Sequence, residues 1–218
     1  MRSAWMVLGL GLAGVAQAEP SSPQLGRLSI SGYGSWAYQP VAPTVATRAT
    51  PQMMGCGGGG GIFVPETSER RGRRGRRVQI QPSHRRYVVR LFDVCMGIGA
   101  GARSEYVAPI QVGYGGQWGG EHVYFATQVE VGLANYNHDF GPARINHFGI
   151  GLKPKVALGL QIGPVGLEVG PTVRTLVPLI SEVHNSPTVR GWMAAGSVDV
   201  EITFGAGVGP KRWYDGRI

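Results

Sequence analysis

The stretch EHVYFATQVEVGLA, residues 121–134, alternates between two kinds of side chain along its whole length. One set is apolar apart from a single threonine and comprises Val123, Phe125, Thr127, Val129, Val131 and Leu133. The other set is mostly small, polar or charged and comprises His122, Tyr124, Ala126, Gln128, Glu130 and Gly132. Successive side chains of a β-strand point to opposite faces. The stretch therefore predicts a strand with one apolar face and one polar face.

Further segments show the same alternation, and together with residues 121–134 they predict seven strands. These segments are residues 26–39, 86–103, 107–117, 147–162, 165–177 and 190–208. We expect tight turns at residues 116–120 and 163–164, and longer polar loops at residues 135–142 and 182–188.

The predicted polar faces carry many glycines together with charges of both signs. Their charged residues are Asp93, Glu130, Glu168, Asp199 and Glu201 with Arg103, Lys153, Lys155 and Arg174. Arg90 departs from this pattern, since it falls on the apolar face with Val88 and Phe92. Buried charges need partners, so we expect acids and bases to pair across a filled interior. A proton site or a selectivity lining is the alternative.

Residues 40–85 differ in kind from the predicted strands. They contain prolines 43, 51, 65 and 82, the glycine run 57–61 and six arginines between residues 70 and 77. Such a composition favours a long loop, with a short strand at Val78–Gln81. An even strand number is usual in bacterial barrels, so the eighth strand is either Arg76–Gln81 or a segment assigned wrongly. With eight strands, the alternation of short turns and long loops places the arginine-rich segment outside the cell.

The N-terminus has the pattern of a secretory signal. Arg2 is followed by the apolar run Ala4–Val15 and by the small-residue triplet Ala16–Ala18, which predicts cleavage after Ala18 and removal of residues 1–18. We assign residues 19–208 to one β-barrel domain and residues 209–218 to a C-terminal tail. No later run is apolar enough for a membrane helix, so entry into a bilayer would require a closed barrel.

Composition excludes several classes of protein. With 36 glycines and 15 prolines in 218 residues, the chain is too rich in glycine for a helical bundle. It is also too apolar for full disorder. Its formal net charge is +8. Cys56 and Cys95 allow at most one intramolecular disulfide and match no metal motif, and their redox state is left open.

Strand length, aromatic residues near segment ends and glycines on the polar face favour a membrane barrel over a soluble sandwich. In these features the chain resembles the small outer-membrane β-barrel proteins of the OmpA/OmpX type. The resemblance implies an antiparallel up-and-down transmembrane barrel of eight strands in the outer membrane of a Gram-negative cell envelope. It also implies that Val198, Val200, Ile202 and Phe204 form the aromatic-terminated signal that the barrel assembly machinery binds. The tail after residue 208 departs from that pattern.

The arginine-rich segment is the candidate binding site of this chain. Its guanidinium groups are suited to phosphates of lipopolysaccharide or another polyanion, and they belong to Arg70, Arg71, Arg73, Arg74, Arg76 and Arg77. A solvated loop without a dedicated partner is the alternative. Nucleic-acid binding is not expected, because an exported protein rarely meets nucleic acid and no aromatic residues interleave with the arginines.

No catalytic residue, metal site or cofactor is predicted. The five histidines show no ligand spacing. A lipid-modifying site would need loops to bring together Ser104, Glu105, His138 and Asp139, for which the linear sequence offers no evidence. We therefore expect a non-enzymatic protein with a structural or surface-interaction role, in contact with outer-membrane lipid and displaying a basic loop. A narrow channel and a soluble secreted binding barrel are the alternatives, and the oligomeric state is not predicted.

Overall fold

The computed structural model describes residues 25–41, 52–71, 77–81, 84–99, 102–120, 122–139, 144–184, 193–205 and 215–217. The predicted signal, its cleavage site and most of the tail lie outside these residues. The strands are β1 Leu25–Val41, β2 Gln52–Arg71, β3 Arg77–Gln81, β4 Arg85–Gly99, β5 Ala102–Gly119, β6 Val123–Asp139, β7 Arg144–Ile162, β8 Val165–His184, β9 Met193–Gly205 and β10 Asp215–Arg217. In the part of the chain described, no helix is both long and apolar enough to span a membrane.

Eight of these strands close into an antiparallel barrel. Around the barrel the order is β1, β2, β4, β5, β6, β7, β8 and β9, and β9 pairs with β1 to complete the ring. Strand β3 pairs with the C-terminal part of β2, and β10 pairs with β3, so both lie outside the ring. The predicted all-β, up-and-down barrel of eight strands is confirmed.

The eighth barrel strand is β2, which the sequence analysis had placed inside the loop at residues 40–85. That assignment is wrong for β2, since its backbone pairs with β1 in an unbroken register from Leu25↔Glu66 to Gln39↔Gln52. Ladder hydrogen bonds are made by backbone groups, so the run Gly57–Gly61 forms them despite lacking side chains. The short strand predicted at Val78–Gln81 is confirmed as part of β3.

The two ends of the barrel differ in their connections. At one end, here called the termini end, lie the start of β1, the end of β9 and the short turns after β5 and β7. Gly163, in the second turn, has a left-handed φ of 56°, a conformation that glycine adopts without penalty. The end of β1 and start of β2, the end of β4 and start of β5, the end of β6 and start of β7, and the end of β8 and start of β9 lie at the opposite end, here called the loop end.

The arginine-rich segment leaves the barrel at the termini end. Strand β2 runs toward that end, continues into its pairing with β3, and β4 then begins at Arg85. The alternation of short turns and long loops predicts this segment at the opposite end, with the long loops. That placement is wrong because the eighth strand, β2, precedes most of the arginines. The chain therefore crosses the barrel a second time before it reaches them, and returns to the end where β1 begins.

Register irregularities occur in four barrel strands, and the one in β4 changes which residues face inward. In β4 the register slips between Arg90 and Phe92, so Leu91 and Phe92 are both exposed on the outer surface. Val88 and Arg90 consequently point into the barrel, and their predicted placement on the apolar face is wrong. An extra residue in one strand shifts the side-chain alternation by one position. Similar irregularities lie at Pro109 in β5, near Leu179 in β8 and between Tyr38 and Val41 in β1.

Candidate functional site

The interior of the barrel holds a set of buried charges that we call the lumen network. It contains five cations and five anions, each at most 3% exposed. They are Arg86, Arg90, Lys153, Lys155 and Arg174 with Asp93, Glu130, Glu168, Asp199 and Glu201. Isolated buried charges are strongly unfavourable, and within this network the cations have an equal number of anions to pair with. Arg27 of β1 is a further buried cation outside the network.

Arg90 of β4 bridges two carboxylates, Glu130 of β6 and Glu201 of β9. Its guanidinium donates to Glu201 at 2.6 and 2.9 Å and to Glu130 at 3.2 Å. The guanidinium also donates a hydrogen bond to the Ser31 hydroxyl at 2.8 Å. Strands β1, β4, β6 and β9 are thereby linked through one side chain, which is the arrangement that the planar five-donor guanidinium suits.

A second group gathers around Asp93 and Asp199. The Arg174 guanidinium lies 3.3 Å from Asp93 and 3.1 Å from Asp199. Lys153 approaches the same two carboxylates at 3.1 and 3.7 Å. Its ammonium also lies 3.9 Å from Glu130, which joins this group to the contacts of Arg90.

A third group lies around Glu168 of β8. Arg86 donates to this carboxylate at 2.7 Å, the Tyr124 hydroxyl donates at 2.9 Å, and Lys155 lies at 3.3 Å. Lys155 also donates to Glu201 at 2.5 Å. The three groups therefore form one connected network, in which each carboxylate contacts more than one cation.

Tyr33 lies among the cations of the network. The Lys153 ammonium is 3.7 Å from the centre of its ring, and the guanidinium carbons of Arg90 and Arg174 are 5.3 and 5.4 Å away. The Tyr33 hydroxyl donates a hydrogen bond to Asp93. The negative face of an aromatic ring attracts cations, so the tyrosine adds neutral but favourable packing at the point where positive charge is most crowded.

The side chains of the network come from five strands and meet inside the barrel. An eight-stranded barrel has an interior just wide enough for side chains, and these side chains meet across it in direct ion pairs. The expected pairing of acids and bases is therefore present. Arg103, which the sequence analysis assigned to the polar face, is 64% exposed and lies 4.0 Å from Glu105 outside the lumen, so that assignment is wrong. Arg86 and Arg90 are lumen cations that the alternation did not reveal.

The two cysteines form a disulfide inside the barrel. Cys56 of β2 lies directly opposite Cys95 of β4 in the register, and both side chains face inward. The bond lies among buried apolar residues toward the loop end. The sequence left the redox state open because it did not show that residues 52–71 form the neighbour of β4.

The candidate polyanion site is only partly described. Arg70 and Arg71 lie in β2 and Arg77 lies in β3, where the backbones of the two strands pair. Arg73, Arg74 and Arg76 lie outside the described residues. The pairing places Arg70, Arg71 and Arg77 on two adjacent strands at the termini end. Polyanion binding there stays a prediction.

Two residues of the hypothetical lipid-modifying site do come together. Ser104 and His138 are direct cross-strand partners that face the interior, and the serine hydroxyl lies 2.5 Å from the histidine Nδ1. Both are buried, and Tyr136 contacts the same nitrogen at 3.1 Å. Glu105 follows Ser104 in the sequence, and Asp139 follows His138. Because successive side chains of a strand point to opposite faces, the two carboxylates lie on the outer face while the serine and histidine face the interior. The four residues do not form a nucleophile–base–acid arrangement. Among the described residues, no group of three His, Cys, Asp or Glu side chains is placed to hold a metal ion.

Comparisons with known proteins show a fold and no more. No protein-family model matches the chain, and no curated protein matches it in sequence. Among solved structures, the chain is similar to the crystal structure of Neisserial surface protein A, with a TM-score of 0.52 and 11% sequence identity. The similarity covers 81% of this chain and 96% of the other. At this identity the likeness supports the closed eight-stranded barrel and not a shared activity.

Proposed function

We propose that this protein is a non-enzymatic β-barrel of a bacterial outer membrane, with a closed lumen and a structural or surface-interaction role. The observation that carries the proposal is the reversed polarity of the barrel, which is apolar outside and charged inside. Every barrel strand contributes at least one large exposed hydrophobic residue. Examples in barrel order are Ile30, Phe63, Leu91, Ile110, Leu133, Leu158, Val169 and Val200.

Water is an unfavourable surrounding for this surface. Each Å² of exposed apolar surface costs about 25 cal/mol, and soluble monomers rarely expose a contiguous apolar patch of more than a few hundred Å². Here the apolar surface continues around all eight strands. Hydrocarbon satisfies such a surface, and a closed barrel leaves no unpaired strand edge within it.

Aromatic rings toward the termini end support the same surroundings. Tyr87 and Tyr114 lie on adjacent strands with ring centres 5.4 Å apart, and Trp118 lies 6.1 Å from Phe125. Membrane barrels carry such aromatic girdles where hydrocarbon meets the headgroups. The similar solved structure is that of a protein named as a surface protein, which is compatible with the proposed location.

The lumen network favours a closed barrel over the alternative of a narrow channel. An ion that crosses the lumen would have to separate pairs such as Arg86–Glu168, which lie at 2.7 Å and are fully buried. Opening such a pair without a replacement partner costs several kcal/mol, of the order of 3–5. The proposed role is therefore that of an anchored scaffold, while a soluble binding barrel is disfavoured by the apolar outer face.

Fractionation together with heat modifiability tests the proposal. The full chain should sediment with outer membranes, and in detergent the unboiled protein should migrate differently from the boiled protein. N-terminal sequencing of the exported protein should begin at Glu19 if the predicted signal is cleaved after Ala18. Recovery as a soluble periplasmic or secreted species would overturn the proposed anchor. Steady single-channel conductance in planar bilayers would overturn the closed lumen.

The basic segment is a second candidate function that depends on its own observation. Arg70, Arg71 and Arg77 lie where β2 and β3 pair, at the end that carries the chain termini. Membrane barrels of this class have short turns on the periplasmic side, so the segment is expected to face that side rather than the cell surface. The proposed partners are anionic phosphates. Binding to vesicles with anionic headgroups and to lipopolysaccharide should both be measured, and neutralising these three arginines should weaken the binding in a salt-sensitive way.

A further inference from the structure

A trough runs along the outer surface where β9, β1, β2 and β4 lie side by side. Four outward glycines form its floor, namely Gly32 and Gly34 of β1 with Gly55 and Gly57 of β2. Its walls are the exposed side chains of Phe92 and Met96 on one side and Val200, Ile202 and Phe204 on the other. Its volume is about 770 Å³, which is within the range of roughly 300–1,000 Å³ typical of ligand pockets.

The packing of the barrel does not require glycine at these floor positions. A Cβ at Gly34 would meet nothing within 4 Å, and one at Gly57 would make only an ordinary contact at 3.6 Å. The inward Gly58 is different, since a Cβ there would lie 2.5 Å from the Phe92 carbonyl oxygen and 2.5 Å from the Tyr33 ring. Glycine weakens a strand where no close approach demands it. The floor glycines are therefore explained by something outside the barrel that approaches its backbone.

We propose that the trough seats one acyl chain of a bilayer lipid, an inference that rests on the proposed membrane location. The trough is continuous on both sides with the apolar outer surface, and none of its floor or wall residues is charged. It extends from Val198 to Phe204 along β9, six residue steps or about 20 Å of strand. With the usual tilt of about 45°, this length spans approximately 14 Å of depth, close to one leaflet of a hydrocarbon core about 30 Å thick.

A second copy of the chain fits the trough less well than an acyl chain does. The outer wall of a barrel is convex, and Phe92 and Ile202 rise on either side of the glycine floor. Two such surfaces would meet at their walls and leave both floors empty. A thin flexible chain reaches the floor and contacts wall and floor together, which is where dispersion contacts accumulate.

The test fills the trough without disturbing the barrel. In the double variant Gly34→Leu/Gly57→Leu, the new side chains occupy the floor, and the open space at both positions predicts that the variant still folds. The matched control is Thr127→Leu, an outward position on β6 far from the trough around the ring. Both variants and the unaltered full chain are reconstituted in dipalmitoylphosphatidylcholine vesicles, extracted in detergent and examined by native mass spectrometry.

We expect the unaltered chain and the control to keep a 1:1 lipid adduct after extensive detergent exchange. In the double variant, the fraction of protein that carries the adduct should be at least fivefold lower. Equal adducts in all three proteins, or no adduct in the unaltered chain, would overturn the acyl-chain site. A dimer that disappears only in the double variant would also overturn it, in favour of a second copy as the occupant. Heat modifiability is measured on the same samples, because loss of insertion in the unaltered chain refutes the membrane location itself rather than the trough.

Discussion

The substitution Arg90→Met tests whether the lumen network stabilises the barrel. Arg90 is 1% exposed and contacts Glu130, Glu201 and Ser31. Methionine has an unbranched apolar side chain that adapts to irregular space. The substitution therefore removes the charge and the hydrogen bonds while occupying much of the same volume.

The expected loss follows from the partners that Arg90 leaves behind. Glu201 keeps Lys155 at 2.5 Å, whereas Glu130 keeps Lys153 only at 3.9 Å. The lumen network then holds four cations against five anions. Breaking a buried ion pair by removing one partner costs about 3–5 kcal/mol. Because Glu201 retains a close cation, we expect the lower end, a decrease of about 3 kcal/mol in the free energy of unfolding.

The assay is urea unfolding of the refolded protein in lipid vesicles, followed by tryptophan fluorescence. The double variant Arg90→Met/Glu130→Gln restores equal charge and should recover at least about half of the loss, since the uncompensated carboxylate is gone. Arg103→Met is the matched control, because Arg103 is 64% exposed and should change stability by no more than about 0.5 kcal/mol. A loss below about 1 kcal/mol for Arg90→Met, or no recovery in the double variant, would refute the stabilising role of the network.

Three further outcomes are expected. Cys95→Ser should lower the free energy of unfolding by about 4 kcal/mol, because the disulfide to Cys56 closes a loop with a sequence separation of 39 residues. Unchanged stability of the unaltered chain in a reducing agent would argue against this. Gly58→Ala should destabilise by about 1–3 kcal/mol, because the added Cβ would clash with the Phe92 carbonyl oxygen and the Tyr33 ring. Gly34→Ala, at an open position, should be neutral or stabilising by up to about 1 kcal/mol. Equal effects in urea unfolding would contradict the difference in packing. Planar-bilayer recordings of the unaltered chain should show no steady conductance, while replacing all five lumen cations by alanine should either abolish folding or produce one.

Regular alternation was sufficient to predict most of the barrel. In β6, in β7 and in β8 before Leu179, the apolar and polar positions follow a period of two, and the lumen residues Glu130, Lys153, Lys155 and Glu168 are predicted from it. The register between β6 and β7 is unbroken, and that between β7 and β8 shifts only near Leu179. One face of each strand contacts apolar surroundings and the other faces the lumen, so a shift of the register by one residue would place every side chain on the wrong face. The register can therefore be predicted from the alternation in the sequence.

The same rule fails at a bulge, where the alternation shifts by one residue. Leu91 and Phe92 are both apolar and both face outward, so a continuous period of two assigns Arg90 to the wrong face. Two adjacent large apolar residues within an alternating segment are the signal that was available. They indicate that one residue is extra and that the residues before it belong to the opposite set.

Strand β2 was missed for a different physical reason. Its central residues are glycines, so the faces of the strand carry no side chains whose alternation could be read. Glycine-rich sequence favours loops on composition alone, because an isolated glycine segment gains little on ordering. The pairing of β2 with β1 and β4 is a nonlocal property, and only the closed ring, which needs an eighth strand, creates it.

The disulfide and Tyr33 together explain how so weak a strand is held in place. Among the described residues, β4, β6, β7, β8 and β9 contribute charges to the lumen network, whereas the side chains of β2 contribute none. In place of ion pairs, β2 is bonded covalently to β4 through Cys56 and Cys95 and is covered by the Tyr33 ring at Gly58. The same tyrosine contacts Lys153, Arg90 and Arg174. The glycine strand is thus coupled to the charged lumen through one aromatic ring, while its outward glycines stay free to form the floor of the trough.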